Sequence, residues 1–173
     1  MPGKKNKKTP GIGNETLPHL FLGLKALADS KAKYIIVGGI ATNLHGLSTA
    51  TKDIDVLIPK DLENTEKILK GLENLGWGLS KELFAEDVIK KPFTIIGDQP
   101  RVDLLLIAGK INFEQAYPNR EQKTIEGIKI PYLNIEDLIL SKQTGRPKDK
   151  IIIQDLKRLI KIKGHKKSPT TKK

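Results

Sequence analysis

The chain has 173 residues, no cysteine and a formal net charge of +11. A disulfide framework, a zinc–thiolate site and a thiol nucleophile are therefore excluded. No apolar run approaches the ~18 residues of a membrane-spanning helix, and the N-terminus lacks the apolar core of a signal peptide, so we expect a soluble cytoplasmic protein.

The positive charge is concentrated at the two ends of the chain. Residues 1–10 contain four lysines and no acid, residues 163–173 contain five lysines and no acid, and the remaining residues carry a net charge of +2. We predict one folded domain over residues 14–162, between disordered basic tails at 1–13 and 163–173. Two readings of the tails stay open: they bind nucleic acid without sequence preference, or they are solvated ends that keep the protein soluble.

The apolar periodicity and the turn residues predict the elements in chain order. The first half contains helices over 14–30, 40–45 and 61–75, and strands over 34–37 and 53–58. The second half contains a hairpin of strands over 93–96 and 102–107, helical turns over 112–117, strands over 123–125 and 128–133, a helix from Asn134 or Asp137 to Thr144, and a last helix over 148–162. Because strands and helices mix without strict alternation, we predict an α+β fold: a mixed, partly antiparallel sheet with helices packed against it and a helical C-terminal end.

Three aspartates lie in segments that are predicted to be strands. Asp53 and Asp55 are two residues apart, so their side chains share one face of a strand, and Asp103 lies in another strand. If the two strands are neighbours, three carboxylates converge, and they need a counter-charge such as Mg²⁺, which prefers oxygen ligands. The alternative is structural: Asp53 caps a turn, Asp55 pairs with a lysine, and Asp103 pairs with Arg101.

A glycine pair, Gly38 and Gly39, follows the first predicted strand and precedes a short helix. Glycine lets backbone N–H groups approach a phosphate closely, and a helix N-terminus favours negative charge. The alternative is a tight turn without a ligand. His45, at the end of the same helix, either contacts an acceptor or a phosphate, or only caps the helix C-terminus. The glycine turn and the three aspartates together favour metal-assisted phosphoryl transfer, in which two cations hold the nucleophile and a triphosphate in line.

Two strings carry a resemblance to a known family: VGGIATNLHG at residues 37–46 and TKDIDV at residues 51–56. Together they resemble the signature of the nucleotidyltransferase (polymerase-beta-like) superfamily, and above all its small prokaryotic branch related to abortive-infection toxins. Residues 138–149 are similar to the C-terminal helix motif of that branch. The site residues that the resemblance implies are Gly38, Gly39, Thr51, Lys142, Arg146 and Asp149 for the nucleotide, and Asp53, Asp55 and Asp103 for the metal and the catalysis.

The resemblance implies an Mg²⁺-dependent enzyme, with two ions or with Mn²⁺ in their place. It would move a nucleoside monophosphate from an NTP such as ATP to a hydroxyl of an RNA or tRNA, a small molecule or a protein. A toxin–antitoxin role follows from the same resemblance. The lysine-rich tails favour an RNA acceptor, because a polyanion would concentrate near them. No membrane partner is expected, and the oligomeric state is open.

Two positions depart from the pattern of that branch. The arginine that relatives usually carry shortly before Thr51 is absent from residues 48–50, and Ile152 replaces an acid after Asp149. The alternative is therefore a catalytically weak or inactive protein of the same fold, which acts as an RNA-binding or toxin–antitoxin partner module.

Overall fold

The computed structural model describes residues 17–75 and 82–166. The helices are α1 (Leu17–Asp29), α2 (Gly38–Leu44), α3 (Leu62–Glu73), α4 (Ala85–Val88), α5 (Phe113–Ala116), α6 (Ile135–Ser141) and α7 (Pro147–Lys166), with a turn of 3₁₀ helix at Tyr117–Asn119. The strands are β1 (Ile35–Ile36), β2 (Asp53–Leu57), β3 (Phe93–Ile96), β4 (Arg101–Leu105), β5 (Ile107–Ala108), β6 (Ile111–Asn112), β7 (Glu121–Ile125) and β8 (Ile128–Tyr132).

Six of these strands form one sheet in the order β3-β4-β2-β1-β8-β7. β2 pairs with β4 and β1 pairs with β8 in parallel, whereas the other neighbours are antiparallel. β5 and β6 form a separate two-stranded sheet. The predicted α+β class and the mixed, partly antiparallel sheet are confirmed.

The hydrophobic core explains which face of the central strands carries polar residues. Ile54 and Val56 in β2 and Val102 and Leu104 in β4 are all at most 1% exposed. Helix α1 packs against α3 and also against β2 and β8. Because alternate side chains of a strand point to opposite faces, burial of these apolar residues directs the polar residues between them to the other face.

The structure differs from the prediction at the glycine pair. Helix α2 begins at Gly38 rather than at residue 40, so the two glycines form its first turn. Val37 precedes the helix with an extended backbone, and Gly38 has a φ of +62°. The left-handed region is accessible to glycine at little cost, which allows the chain to turn directly from strand to helix.

Other differences concern short elements and boundaries. The predicted strand over 102–107 is split between β4 and β5, and α4, β5 and β6 were not predicted, because elements of two to four residues leave no periodic signal. The last helix ends at Lys166, beyond the domain boundary predicted at 162. The tail predicted over 1–13 and the last seven positions of the one predicted over 163–173 lie outside the described residues. Within the described ranges, no helix combines the length and apolar character needed to cross a membrane.

Candidate active site

Asp55 lies directly opposite Asp103 in the pairing of β2 with β4, and Asp53 lies opposite Arg101. Residues that pair directly across neighbouring strands share a face of the sheet, so all three aspartates lie on the face opposite to the core. The strand of Asp103, β4, is therefore the neighbour of β2, which is the arrangement that brings the three carboxylates together. Strand pairing across 47 intervening positions, rather than local sequence, brings Asp55 and Asp103 together.

Arg101 supplies the counter-charge of Asp103. Its Nε atom donates to Oδ1 of Asp103 at 2.8 Å, and its Nη2 atom donates to Oδ2 at 2.7 Å. The same Nε atom lies 3.8 Å from Oδ2 of Asp53. With the side chains in this arrangement, no group of three acidic or histidine side chains in the described parts of the chain forms a metal-binding cluster. The ion pair that the sequence analysis left open is thus present, and both oxygens of Asp103 are engaged in it.

Burial and the neighbouring carboxylates raise the pKa of Asp55. Burial is the largest cause that raises its pKa, to about 6 from 3.8, and the negative charge of Asp103 is the next. The positive charge of Lys142 opposes the shift, Asp53 adds to it, and Arg101 opposes it. A carboxylate whose charged form is disfavoured in this way gains from a nearby cation.

The glycine pair packs against the strand that carries the aspartates. A Cβ atom on Gly38 would overlap Oδ2 of Asp55, and a Cβ atom on Gly39 would come within 2.8 Å of the Thr51 side chain. The backbone N–H of Val37 donates to the carbonyl of Asp55 at 2.9 Å, which fixes the two segments relative to each other. Only glycine at residue 38 leaves room for the carboxylate beside this turn.

The loop between α2 and β2 is tied down by two residues that the sequence analysis missed. The side chain of Asn43 accepts from the backbone N–H of Thr49 at 2.8 Å and donates to the Thr49 carbonyl at 3.0 Å. The hydroxyl of Thr49 also donates to Oδ1 of Asn43 at 2.8 Å. These bonds hold the chain close to α2 just before Thr51, whose hydroxyl donates to the carbonyl of Asp53 at 3.2 Å. An asparagine in a short helix carries no sequence signal for such a contact.

Lys142 is held near the aspartates by the start of the last helix. Its Nζ atom lies 3.6 Å from Oδ1 of Asp149, and the hydroxyl of Thr144 donates to Oδ2 of the same carboxylate. Asp149 is buried, while the exposed Arg146 engages this unit through its backbone N–H, which donates to Thr144 Oγ1 at 3.3 Å. Ile152, where the resemblance leads one to expect an acid, is a buried core residue. The structure thus links Lys142 and Asp149, and it places the Arg146 side chain on the surface.

His45 has a structural environment. Its ring is 6% exposed, its Nε2 atom is 2.8 Å from the carbonyl of Leu133, and it packs edge-on against Tyr132 at 5.1 Å. These contacts join the end of α2 to the segment between β8 and α6. We therefore do not include His45 among the residues that contact an acceptor or a phosphate.

Two exposed apolar side chains continue the row of residues that contains Asp103. Ile95 pairs with Asp103 and Phe93 pairs with Leu105, so both share the face of the carboxylates. Ile95 is 46% exposed and Phe93 is 55% exposed. Their strand, β3, is an edge strand of the sheet. The carboxylates are therefore bordered by Lys142 and the glycine turn near Asp55, and by an apolar surface beyond Asp103.

The fold and the family match together identify a nucleotidyltransferase domain. Residues 15–162 match the family described as "Nucleotidyltransferase of unknown function (DUF6036)", and the chain belongs to that family.

Comparisons with individual proteins are more distant. A lincomycin-bound crystal structure of the lincosamide antibiotic adenylyltransferase LnuA is similar to this chain with a TM-score of 0.52 and 17% identity, over 86% of this chain and 99% of that chain. A putative nucleotidyltransferase from Thermotoga maritima aligns with a TM-score of 0.49 and 18% identity, over 90% of this chain and 93% of that chain. An antigenic nucleotidyltransferase-like protein from Paracoccidioides brasiliensis aligns with a TM-score of 0.49 and 18% identity, over 89% and 79% of the two chains. No curated protein sequence matches. The likeness to LnuA supports the fold.

Proposed function

We propose that this protein is an Mg²⁺-dependent nucleotidyltransferase that moves a nucleoside monophosphate from an NTP to a hydroxyl acceptor. One observation carries the proposal: Asp55 lies directly beside Asp103 on neighbouring parallel strands, with Asp53 on the same face and the Gly38 turn packed against Asp55. Carboxylate oxygens are the ligands that Mg²⁺ prefers, so the donor set fits the ion. Two Mg²⁺ ions, or Mn²⁺ in their place, would be held by Asp53, Asp55 and Asp103.

The reaction needs few groups from the protein. The hydroxyl oxygen of the acceptor attacks the α-phosphorus, the bond from this phosphorus to the bridging oxygen of the β-phosphate breaks, and pyrophosphate leaves. The proton of the hydroxyl passes to one of the three carboxylates as general base. When bound, Mg²⁺ would neutralise the charge that develops on the phosphate oxygens, which is the main requirement of such transfers.

The other residues of the site would bind and orient the nucleotide. The turn of Gly38 and Gly39 packs directly against Asp55 and Thr51, so its backbone would lie beside a triphosphate held at the carboxylates, and the charge of Lys142 would attract that triphosphate. Asp149 positions Lys142 through the contact described above. Arg101 bonds both oxygens of Asp103, so it must release at least one of them before that carboxylate can bind a metal ion.

The acceptor would approach from the side of Asp103, because Lys142 and the glycine turn border Asp55 on the other side. The exposed Ile95 and Phe93 would then contact its apolar part. RNA or tRNA, a small molecule and a protein remain the three candidate acceptors. LnuA is a lincosamide antibiotic adenylyltransferase, which makes a small molecule one of the arms of the experiment. A toxin-type role would require that the acceptor be an RNA or a protein.

Incubation of the protein with each NTP labelled at the α-phosphate, Mg²⁺ and a mixture of cellular RNA, proteins and small molecules tests the proposal. We expect label in one acceptor fraction, and none after Asp53→Ala with Asp55→Ala. The matched control is Glu86→Ala with Asp87→Ala, which removes two exposed acids from α4 and should leave labelling intact. Labelling that survives in the active-site variant would rule out the carboxylates as the catalytic site.

A second candidate function follows from Arg101. Because it already neutralises Asp103, the fold is also compatible with a catalytically weak or inactive partner module. Thermal unfolding with each NTP and Mg²⁺ separates the two functions. The enzyme should be stabilised by one or more NTPs in an Mg²⁺-dependent way that Asp53→Ala with Asp55→Ala abolishes. An inactive module should unfold at the same temperature with and without Mg²⁺ and NTP, in wild type and variant alike.

A further inference from the structure

A second group of charged side chains surrounds a cavity at the other end of the central strands. The cavity has a volume of about 460 Å³ and is lined by four basic residues: Lys31, Lys33, Arg120 and Lys129. We refer to these four residues and their cavity as the basic cavity. Tyr34, which immediately precedes β1, lies at the cavity, whereas Gly38, which follows β1, lies at the carboxylates. At ~3.3 Å per extended residue, the two sites are roughly 13 Å apart along β1.

The basic cavity carries an excess of positive charge, because four basic residues and one acid, Asp29, line it in the described part of the protein. Among the described ion pairs, none involves any of the four basic residues, whereas Lys25, Lys67, Arg101, Lys142 and Arg158 each pair with an acid. Asp29 also lines the cavity, but it is 2.6 Å from the Nζ atom of Lys25. Residues 17–146 contain 17 basic and 17 acidic residues, so the basic cavity is a local excess in an otherwise balanced segment.

Arg120 is held in place before any ligand arrives. Its guanidinium carbon lies 3.7 Å from the centre of the Tyr117 ring, and its Nη1 atom donates to the Tyr117 carbonyl at 2.6 Å. The ring of Phe113 in turn stacks on the Tyr117 ring, with 4.7 Å between the two ring centres. A guanidinium fixed in this way binds a phosphate with less loss of conformational entropy than a free arginine.

Lys31 occupies a backbone conformation that does not favour lysine. Its φ is +59°, just after the end of α1, where glycine is the usual residue. The left-handed conformation costs a residue with a Cβ atom roughly 1–2 kcal/mol. A lysine at this position therefore has no advantage for the local fold, and the residue is one of those that line the cavity.

We propose that the basic cavity binds the phosphate groups of a phosphate ester, at a site separate from the carboxylates. The ligand is a free nucleotide or the backbone of a nucleic acid, which present the same chemistry to the four cations. The inference does not rest on the proposed function, because none of the basic-cavity residues belongs to the candidate active site.

The experiment measures binding to the full chain that carries Asp53→Ala and Asp55→Ala, in EDTA, so that the carboxylate site with metal does not contribute. The probes are ATP and a single-stranded RNA of about twelve nucleotides. We expect Lys33→Ala with Lys129→Ala to weaken binding about tenfold or more, since two phosphate contacts are lost. The charge-matched control is Lys90→Ala with Lys91→Ala, which removes two exposed lysines elsewhere and should have a much smaller effect.

Weakening of both probes identifies a site for phosphate esters in general, and weakening of the RNA alone identifies a nucleic-acid backbone as the ligand. Equal effects of the two double variants on both probes, or no binding of either probe, would overturn the proposal.

Lys31→Gly separates binding from folding. Because glycine adopts a φ near +59° without strain, this variant should unfold at the same temperature as the parent protein or a higher one. It should nevertheless bind the probe more weakly. Undiminished binding by Lys31→Gly, together with control-like behaviour of the double variant, would show that the cavity has no such role.

Discussion

Gly38 combines two requirements that only glycine meets. Its φ is +62°, and the position of a Cβ atom is taken by the Asp55 carboxylate. We expect Gly38→Ala to lower the free energy of unfolding by roughly 1–3 kcal/mol, from backbone strain and from displacement of the carboxylate. Chemical denaturation measures this change, and Mg²⁺-dependent stabilisation by NTP should be lost in the same variant.

Gly46→Ala is the matched control for Gly38→Ala. Its φ is also positive, at +105°, but a Cβ atom there would meet nothing within 4 Å. It should show the cost of the backbone conformation without displacement of a catalytic group. If Gly46→Ala and Gly38→Ala had the same effect on nucleotide binding, the close contact with Asp55 would be irrelevant to the site.

Asp55 makes the stability of the metal-free protein depend on pH. Its pKa of about 6 in the folded protein lies above the 3.8 of the unfolded chain, so the folded state binds the proton more tightly. The stabilisation from protonated Asp55 is complete below the unfolded pKa and is lost as the pH rises through about 6. The ionised carboxylate is thus destabilising at neutral pH when no metal is bound.

Asp55→Asn should therefore stabilise the protein in EDTA. At about pH 8 the variant should unfold at a higher temperature than wild type, because asparagine removes the crowded charge, and the difference should shrink as the pH falls towards 4. Mg²⁺ should raise the unfolding temperature of wild type and leave that of the variant unchanged. A variant that is less stable than wild type at every pH would contradict the assignment of Asp55 as a crowded carboxylate.

At the scale of elements, the junction of α6 and α7 positions the cation of the site. Lys142 caps the C-terminus of α6, and Asp149 lies in the first turn of α7. The 3.6 Å contact between their side chains therefore couples the orientation of Lys142 to the packing of the last helix. We therefore propose that Asp149 positions Lys142 and does not itself touch the nucleotide.

Asp149→Asn should weaken NTP binding less than Lys142→Ala does, because asparagine keeps the hydrogen bond from Thr144 but removes the charge that orients the lysine. In a double-mutant cycle the two changes should not be additive, since both act through Lys142. NTP affinity at constant Mg²⁺ is the measurement. Additive effects would show that Asp149 acts on the nucleotide independently of Lys142.

At the scale of the whole molecule, basic charge is unevenly distributed along the chain. The segment 17–146 is balanced, whereas residues 1–10 and 167–173 together contain seven lysines and no acid. If these end segments bind nucleic acid, their removal should lower the slope of log affinity against log salt for single-stranded RNA, by ~0.7 for each lost phosphate contact.

Truncation at residues 10 and 166 tests this expectation and retains the whole of α7. The unfolding temperature and the NTP affinity should not change, because the truncated protein keeps the complete sheet and the candidate site. An unchanged salt slope would leave the lysines only a solubilising role.

Parts of the site were predictable from local sequence, and other parts were not. The alternation of residues 53–56 places Asp53 and Asp55 on one strand face without any tertiary information. The sequence could not show that Asp55 pairs with Asp103, and the convergence of the three carboxylates depended on that pairing. The strand β3 lies between them in sequence, and several strand orders satisfy the same hydrophobic pattern. His45 illustrates a different case: it caps the C-terminus of α2, as one of the two alternatives predicted, and only the tertiary structure shows that its ring is buried against the Leu133 carbonyl.

The sequence by itself determined the α+β class, the elements with clear periodicity and the residues that can carry metal-assisted chemistry, because these depend on interactions between residues a few positions apart. Only the tertiary structure decided that β2 lies between β1 and β4, that Arg101 is bound to Asp103, and that the basic cavity lies at the opposite end of β1 from the carboxylates. Those outcomes depend on which distant segments bury their apolar faces together, and the energies of alternative pairings differ by too little for a local pattern to select among them.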